Sequence, residues 1–251
     1  MEYLLFYLVI LLANIMHGIT GFAGTVLAMP FGLMLVGYPV AKPVLNVLAI
    51  IAGLYVFAGY RAYVNWKELR KIVIVMAAGI VGGILIRGFF ADKEQVLYLL
   101  LGIFVILLSL QGLWKQLRTG KENPETEEDG REESGSPGLY LLLGAAGIIH
   151  GIFVSGGPLL IGYLAKRIRD KVSFRATIST IWIFLNSIIL IDDIRAGLWN
   201  VQLLKVQLVS IPFLFAGMFI GSRLYAVMSQ KVFMILTYIL LFVSGVSLLL
   251  K

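Results

Sequence analysis

Long apolar runs separated by short charged clusters dominate the sequence. Val44–Tyr60, Ile72–Phe90 and Val96–Trp114 are followed by Thr177–Ile191, Val206–Tyr225 and Val232–Leu250. Most of them approach the roughly 20 helical residues needed to cross a hydrocarbon core. None alternates with period two over about ten residues, as strands of a membrane barrel do. The pattern therefore predicts apolar spanning helices. Met1–Ala13 has the apolar character of a signal peptide but carries Glu2 where a basic flank would stand, so it reads as a retained membrane helix.

Tyr3–Val36 is too long for one straight crossing and holds a glycine-rich break in its middle. It forms either one kinked crossing or a hairpin of two shorter helices that enters and returns.

Composition excludes a soluble globule. Hydrophobic residues are 59% of the 251 and charged residues 14%, against about 45–50% and 25% in soluble domains; mean hydropathy is +0.92. The absence of cysteine removes disulfide, thiolate and cysteine–metal chemistry. A formal charge of +7 suggests nucleic acid in a soluble protein. In a membrane protein the same excess marks cytoplasmic loops, so no nucleic-acid partner is implied.

The two histidines expose an internal repeat. His17-Gly18-Ile19 recurs as His150-Gly151-Ile152, 133 positions on, and both are followed by a glycine-rich break. Arg61-Ala62 matches Arg195-Ala196 at 134; Arg87 matches Arg223, and Val96 matches Val232, at 136. Between the copies, Gln116–Pro137 is rich in Glu, Gly, Ser and Pro and cannot bury a core. The expected organisation is a first membrane repeat over 1–117, a polar acidic linker over 118–137 and a second repeat over 138–251.

Charge decides between kink and hairpin. With a hairpin, each half adds an odd number of crossings and the second half is inverted. One face then collects the Arg61–Lys71 loop, the linker, the Lys166–Arg175 loop, Arg223 and Lys231, which together hold 15 of the 21 basic residues. A straight crossing scatters them over both faces. The positive-inside rule thus favours an all-α integral membrane protein of two inverted repeats. Each repeat is a broken-helix hairpin plus three spanning helices, about 8–10 transmembrane segments in all. The charged loops and linker are then cytoplasmic, with both termini on the other side of the plasma membrane.

Unwound backbone at membrane depth is tolerated where it lines a cavity or is buried in protein. Paired breaks in inverted repeats aim half-helix N-termini at an anion. The candidate substrate residues are His17, Thr20, Gly21, Phe22, Ala23, Gly24 and Thr25 at the first break, and His150, Phe153, Ser155, Gly156 and Gly157 at the second. Asn46 and Asn186 join them from apolar spans. His17 and His150 are also candidate proton relays. The same residues have plainer readings: glycines for close helix packing, histidines bonded to a neighbouring carbonyl, asparagines bonding between helices. Arg87 and Arg223 stand near span ends, as snorkelling side chains or as gates for the anion. Asp192-Asp193 reads as a solvated cap, and Lys166–Arg175 as a topology signal.

The stretch His17-Gly18-Ile19-Thr20-Gly21-Phe22-Ala23-Gly24, continuing to Met29-Pro30, resembles the opening signature of the TauE/SafE sulfite-exporter family. Gly151 with Ser155-Gly156-Gly157-Pro158-Leu159 resembles its echo in the second half. The resemblance implies transport of sulfite, sulfonates or similar anions across a bacterial inner membrane. Phe22 and Ala23 stand where many members carry a denser glycine cluster, which leaves the substrate open.

The expected function is a secondary transporter of a small sulfur-containing anion, bound near the midplane between the breaks, with proton coupling as an option. An anion channel or an accessory subunit of a larger complex are the alternatives. No enzyme is expected, because the spans almost lack acidic residues and hold no nucleophile motif. No cofactor or metal is implied, the partners are the anion and the bilayer, and Gly79–Gly82 leaves a homodimer open.

Overall fold

A computed structural model of the chain describes residues 1–21, 23–89, 94–118, 137–168 and 170–224, with Ile235, Tyr238, Ile239, Phe242, Val243, Gly245, Val246 and Leu249. Residues 119–136, most of the expected linker, and most of the last span lie outside the described residues, Val232 and Lys231 among them. So does Phe22, and so do the side chains of Thr20 and Ala23.

The described residues form nine α-helices and no strand: α1 (Glu2–Thr20), α2 (Ala23–Val36), α3 (Tyr38–Tyr60), α4 (Trp66–Phe89), α5 (Glu94–Arg118), α6 (Pro137–Phe153), α7 (Gly157–Arg167), α8 (Lys171–Arg195) and α9 (Val201–Leu224). Five of them, α1, α3, α4, α8 and α9, are long and apolar enough to cross a membrane, and Gly24–Val36, Leu99–Trp114 and Gly138–Phe153 add shorter apolar stretches. Leu54, Ile74, Leu85, Leu107, Leu208 and Phe219 face outward. So much exposed apolar surface suits lipid and not water. The chain is an all-α integral membrane protein.

Short polar signals set the helix ends. Asp170 caps α8 by accepting from the Ser173 amide at 2.7 Å. Asn65 and Asn200 cap α4 and α9 in the same way, accepting from the Glu68 amide at 3.1 Å and the Leu203 amide at 2.9 Å. Such side-chain acceptors satisfy amides that the first helical turn leaves unpaired.

Helix α2 folds back along α1. A Cβ added at Gly24 would stand 3.0 Å from His17, and one at Gly32 would stand 3.0 Å from Phe6. The segment Tyr3–Val36 is thus a hairpin, with its turn at Gly21 (φ 80°).

Two interfaces repeat one another. Helix α1 lies along α9 in parallel, and α6 lies along α4 in parallel. A Cβ at Gly217 would come 2.5 Å from the Leu11 carbonyl oxygen, and one at Gly79 would come 2.5 Å from that of Gly144. Gly221 meets Ile15 and Gly83 meets Ile148 just as closely; Gly18 touches Met218 and Gly151 touches Ile80. On α1 and α6 the matched positions are 133 apart, while on α4 and α9 they are 138 apart. That register pairs Gly79 and Gly83 with Gly217 and Gly221, and it does not place Arg87 opposite Arg223. Without a hydrophobic drive between helices in lipid, such backbone-to-backbone approach supplies the packing. Gly79 is therefore consumed inside the chain rather than offered to a second copy.

At the centre α3 and α8 cross antiparallel. Gly53 leaves only 2.7 Å between an added Cβ and the Ser179 carbonyl, and Asn46 donates from Nδ2 to the Asn186 carbonyl at 3.1 Å. This central pair, flanked by the two hairpins, positions the candidate site.

Candidate substrate site at two helix breaks

Both hairpins turn through one backbone geometry. The Gly21 amide donates to the His17 carbonyl at 2.7 Å, and the Val154 amide donates to the His150 carbonyl at 2.8 Å. Gly21 has φ 80° and Val154 has φ 55°. Glycine adopts that left-handed region freely. A β-branched valine there is strained, and such strain persists only where surrounding structure imposes it.

His150 is buried and fully engaged. Its Nδ1 accepts from the Gly156 amide at 3.4 Å, and its Nε2 lies 2.9 Å from Asn186 Oδ1. A ring that accepts at Nδ1 and donates at Nε2 is a neutral imidazole of one tautomer. Trp182 stacks on it with ring centroids 4.9 Å apart. Asn186 in turn receives Asn46 at its backbone carbonyl. The Ser155 hydroxyl donates to the Phe153 carbonyl at 2.9 Å, so it serves the turn itself, and Phe153 is buried in the core. Helix α7 starts at Gly157, with Pro158 in its first turn as suits a helix start. Gly156 has no room for a side chain, because an added Cβ would meet the Ala146 carbonyl and stand 2.8 Å from His150 Cβ.

The first break is less occupied. His17 is buried against Gly24, yet its Nε2 has no partner among the described residues. Thr25 is half-buried. The charged neighbour here is Arg175, whose Nη2 donates to the Gly18 carbonyl at 3.2 Å and whose Cγ lies 3.3 Å from a Cβ placed at Gly21. A cation suits that position, because the end of α1 carries partial negative charge. Arg175 also lies over the Tyr60 ring, 5.8 Å from its centroid.

One face of α8 joins the two breaks. Arg175, Ser179, Trp182 and Asn186 follow at spacings of four, three and four, which keeps side chains on one side of a helix. Arg175 Nε, Ser179 Oγ, Trp182 Nε1 and Asn186 Nδ2 are buried without a partner among the described residues, as is His17 Nε2. Three of these five atoms belong to groups that donate and cannot accept, or are the donor nitrogen of an amide, and the Ser179 hydroxyl and neutral His17 can donate there too. On α3, 133 positions lower, the same face carries Lys42, Asn46, Ala49 and Gly53. Small residues on α3 thus face the larger ones on α8, and Gly53 lets the two helices pack closely at Ser179.

The candidate gates differ. Arg87 is half-buried and ion-paired, with Nη2 2.6 Å from Asp192 Oδ2, so it does not snorkel freely. Arg223 is exposed, its guanidinium 5.3 Å from the Phe219 ring centroid. Asp193 corrects the reading of Asp192-Asp193 as a solvated cap: its side chain is fully buried and ion-paired with the equally buried Lys42. Sequence reasoning also passed over Arg175, Trp182 and Lys42. The repeat offset contained the signal, since it places Lys42 and Arg175 at one position of α3 and α8.

Two hairpin breaks, with buried polar groups between them that have no partner among the described residues, define a helical membrane protein that holds polar groups inside its bundle. Residues 6–248 match the family Sulfite exporter TauE/SafE. The chain belongs to that family. It is also similar to the "Probable inner membrane transporter protein TsaS" of Comamonas testosteroni, 27% identical over 186 residues, which are 74% of this chain and 72% of that protein. No solved structure matches it.

Proposed function

We propose that the chain is a secondary transporter of a small sulfur oxyanion, such as sulfite or a sulfonate, working as two inverted repeats about the α3–α8 pair. The halves would rock about α3 and α8 and expose a shared site to either side in turn. The anion would lie along the donor face of α8, between His17 and Asn186. The observation that carries this reading is the set of buried donors lacking acceptors there. Buried polar groups are otherwise almost always paired. An oxyanion, which presents only acceptors, completes such a set. The sulfite-exporter family supports the substrate class, and the name of the Comamonas relative supports transport across an inner membrane.

Uptake of labelled sulfite, thiosulfate and methanesulfonate into proteoliposomes tests the proposal. Saturable uptake with accelerated exchange against internal anion is expected, which also separates a carrier from a channel. Arg175→Ala should reduce uptake by about 10- to 100-fold, the range set by losing a charged hydrogen bond of about 1.5–3 kcal/mol. Ser179→Ala should lose less. Unchanged uptake in both variants would remove the α8 face as the binding site.

A further inference from the structure

Four ionised side chains meet where α3 begins and α8 ends. The Lys42 ammonium is ion-paired with Asp193 and lies 3.6 Å from Asp192; the Arg87 guanidinium is 2.6 Å from Asp192 and 4.0 Å from Asp193. Lys42 and Asp193 are both fully buried. Tyr38, on α3 one turn before Lys42, donates its hydroxyl to the Ile152 carbonyl, which ties this end of α3 to the second break. Lys42 and Tyr38 come from α3, Arg87 from α4 and Asp192 from α8 itself; these are the charged and titratable groups that face Asp193 among the described residues.

A buried ion pair is a weak source of stability, and an ionisable group at membrane depth is by default functional. Asp193 is also unevenly used. Its Oδ1 holds Lys42, whereas its Oδ2 is buried without a partner among the described residues. A surface cavity of about 220 Å³, lined in part by Pro39, Val40, Gly197 and Leu198, opens at the same end of the α3–α8 pair.

We propose that Asp193 is the proton-coupling residue of the transporter reasoned above, and that Lys42 is a second station for the anion, at the far end of the α3–α8 pair from Arg175, which the anion occupies only when Asp193 is protonated. The quartet holds two positive and two negative charges, so it is neutral. A monoanion entering alone would leave one negative charge uncompensated in a buried site. When a proton from solvent adds to Asp193 Oδ2, the carboxyl becomes neutral, Lys42 is released to the anion, and the site stays neutral. Anion and proton then occupy and leave the site together, one proton for each negative charge. At the opposite end of the α3–α8 pair no carboxylate stands at the matching position. There Arg175 stands at the position of Lys42 and Tyr60 at that of Asp193, a cation over an aromatic ring. His150 does not replace Asp193 in this role, since a proton on Nδ1 would break its bond from the Gly156 amide.

Titration calorimetry of methanesulfonate, a permanent monoanion, into purified full-length protein tests the proposal. Runs near neutral pH in buffers of different ionisation enthalpy count the protons taken up. Wild type should take up about one proton per anion, the linkage that coupled binding requires. Asp193→Asn should bind with an affinity within about tenfold of wild type, take up none and lose the pH dependence; in liposomes it should keep anion exchange and lose acceleration by a proton gradient. Asp193→Glu should restore proton uptake. Should Asp193→Asn not fold, a wild-type protein that binds methanesulfonate without proton uptake still overturns the proposal, and the pH dependence of Asp193→Glu against wild type locates the proton. Methanesulfonate bound by wild type with no proton uptake, or one proton still taken up by Asp193→Asn, overturns the coupling role and leaves the transporter reading intact. Folded wild type that neither binds nor moves methanesulfonate, sulfite or thiosulfate overturns both.

Discussion

At Val154 the chain turns through the same left-handed geometry as at Gly21, yet the polar groups beside the two turns are used very differently. Beside Val154, His150 is bonded through both ring nitrogens and stacked on Trp182. Beside Gly21, His17 Nε2 and Ser179 Oγ have no described partner, and the nearest charge is the Arg175 guanidinium. Equivalent backbone therefore carries unequal side-chain chemistry. A closed network at one break can serve as scaffold, and unpaired donors at the other can serve a ligand. The two turns share a backbone geometry and differ in the side chains placed beside it.

The largest effects should come from the shared framework. Gly83→Val and Gly221→Val each drive a side chain into a facing carbonyl, of Ile148 and Ile15 respectively. Overpacking costs about 1–3 kcal/mol, and more where, as here, the facing atoms are backbone that cannot yield. Both variants should lose the monodisperse, thermally cooperative protein after detergent extraction, and to a similar degree. Gly59→Ala is the control, since nothing lies within 4 Å of the added Cβ. A tolerated Gly221→Val beside a ruinous Gly83→Val would break the equivalence of the two interfaces.

The apolar runs made the helices legible, and the His-Gly-Ile recurrence pointed to both turns, because each depends on local pattern. The hairpin at Gly21 also followed from charge placement, since one arrangement gathers the basic loops on one face. What the sequence concealed is partnership. Lys42 and Asp193 are distant in sequence, and nothing local reveals that one neutralises the other; Asp193, two residues before the end of α8, looked like a cap. Arg175 was hidden inside a basic cluster that topology already explained. The four-three-four spacing from Arg175 to Asn186 was readable, but an intervening Trp182 in an apolar span looks like core until its neighbours on α6 are known. Phe22 and the side chains of Thr20 and Ala23 lie outside the described residues, so their expected contact with the anion stands as part of the proposal.

A smaller effect separates the two histidines. His150→Ala removes a bond to Asn186, a bond from the Gly156 amide and the stack on Trp182. Polar contacts between membrane helices are worth about 1–2 kcal/mol, so this variant should unfold about 2–8 °C lower. His17→Ala removes no described side-chain bond and should leave the melting temperature close to wild type. Its effect should fall on transport, as a raised KM for the anion. The crossed result, in which His17→Ala is the unstable variant and His150→Ala only binds more weakly, would exchange the roles of scaffold and site between the breaks.

The smallest effect tests the turns themselves. Val154→Gly relieves a left-handed valine, worth about 1–2 kcal/mol. It also adds chain entropy to the unfolded state, about 0.5–1 kcal/mol, and removes a fully buried side chain whose burial stabilises by about 1.5 kcal/mol. These contributions nearly cancel, so its melting temperature should fall by a few degrees at most. The reverse change, Gly21→Val, has the strain without the compensation, because its Cβ meets Arg175 Cγ at 3.3 Å and the adjoining side-chain atoms must move. It should cost at least the full 1–2 kcal/mol of strain, about 2–8 °C, and displace the one charge beside the first break. If Gly21→Val proved as mild as Val154→Gly, the first turn would be relaxing out of its left-handed geometry, and the two breaks would no longer be equivalent backbone with different side chains.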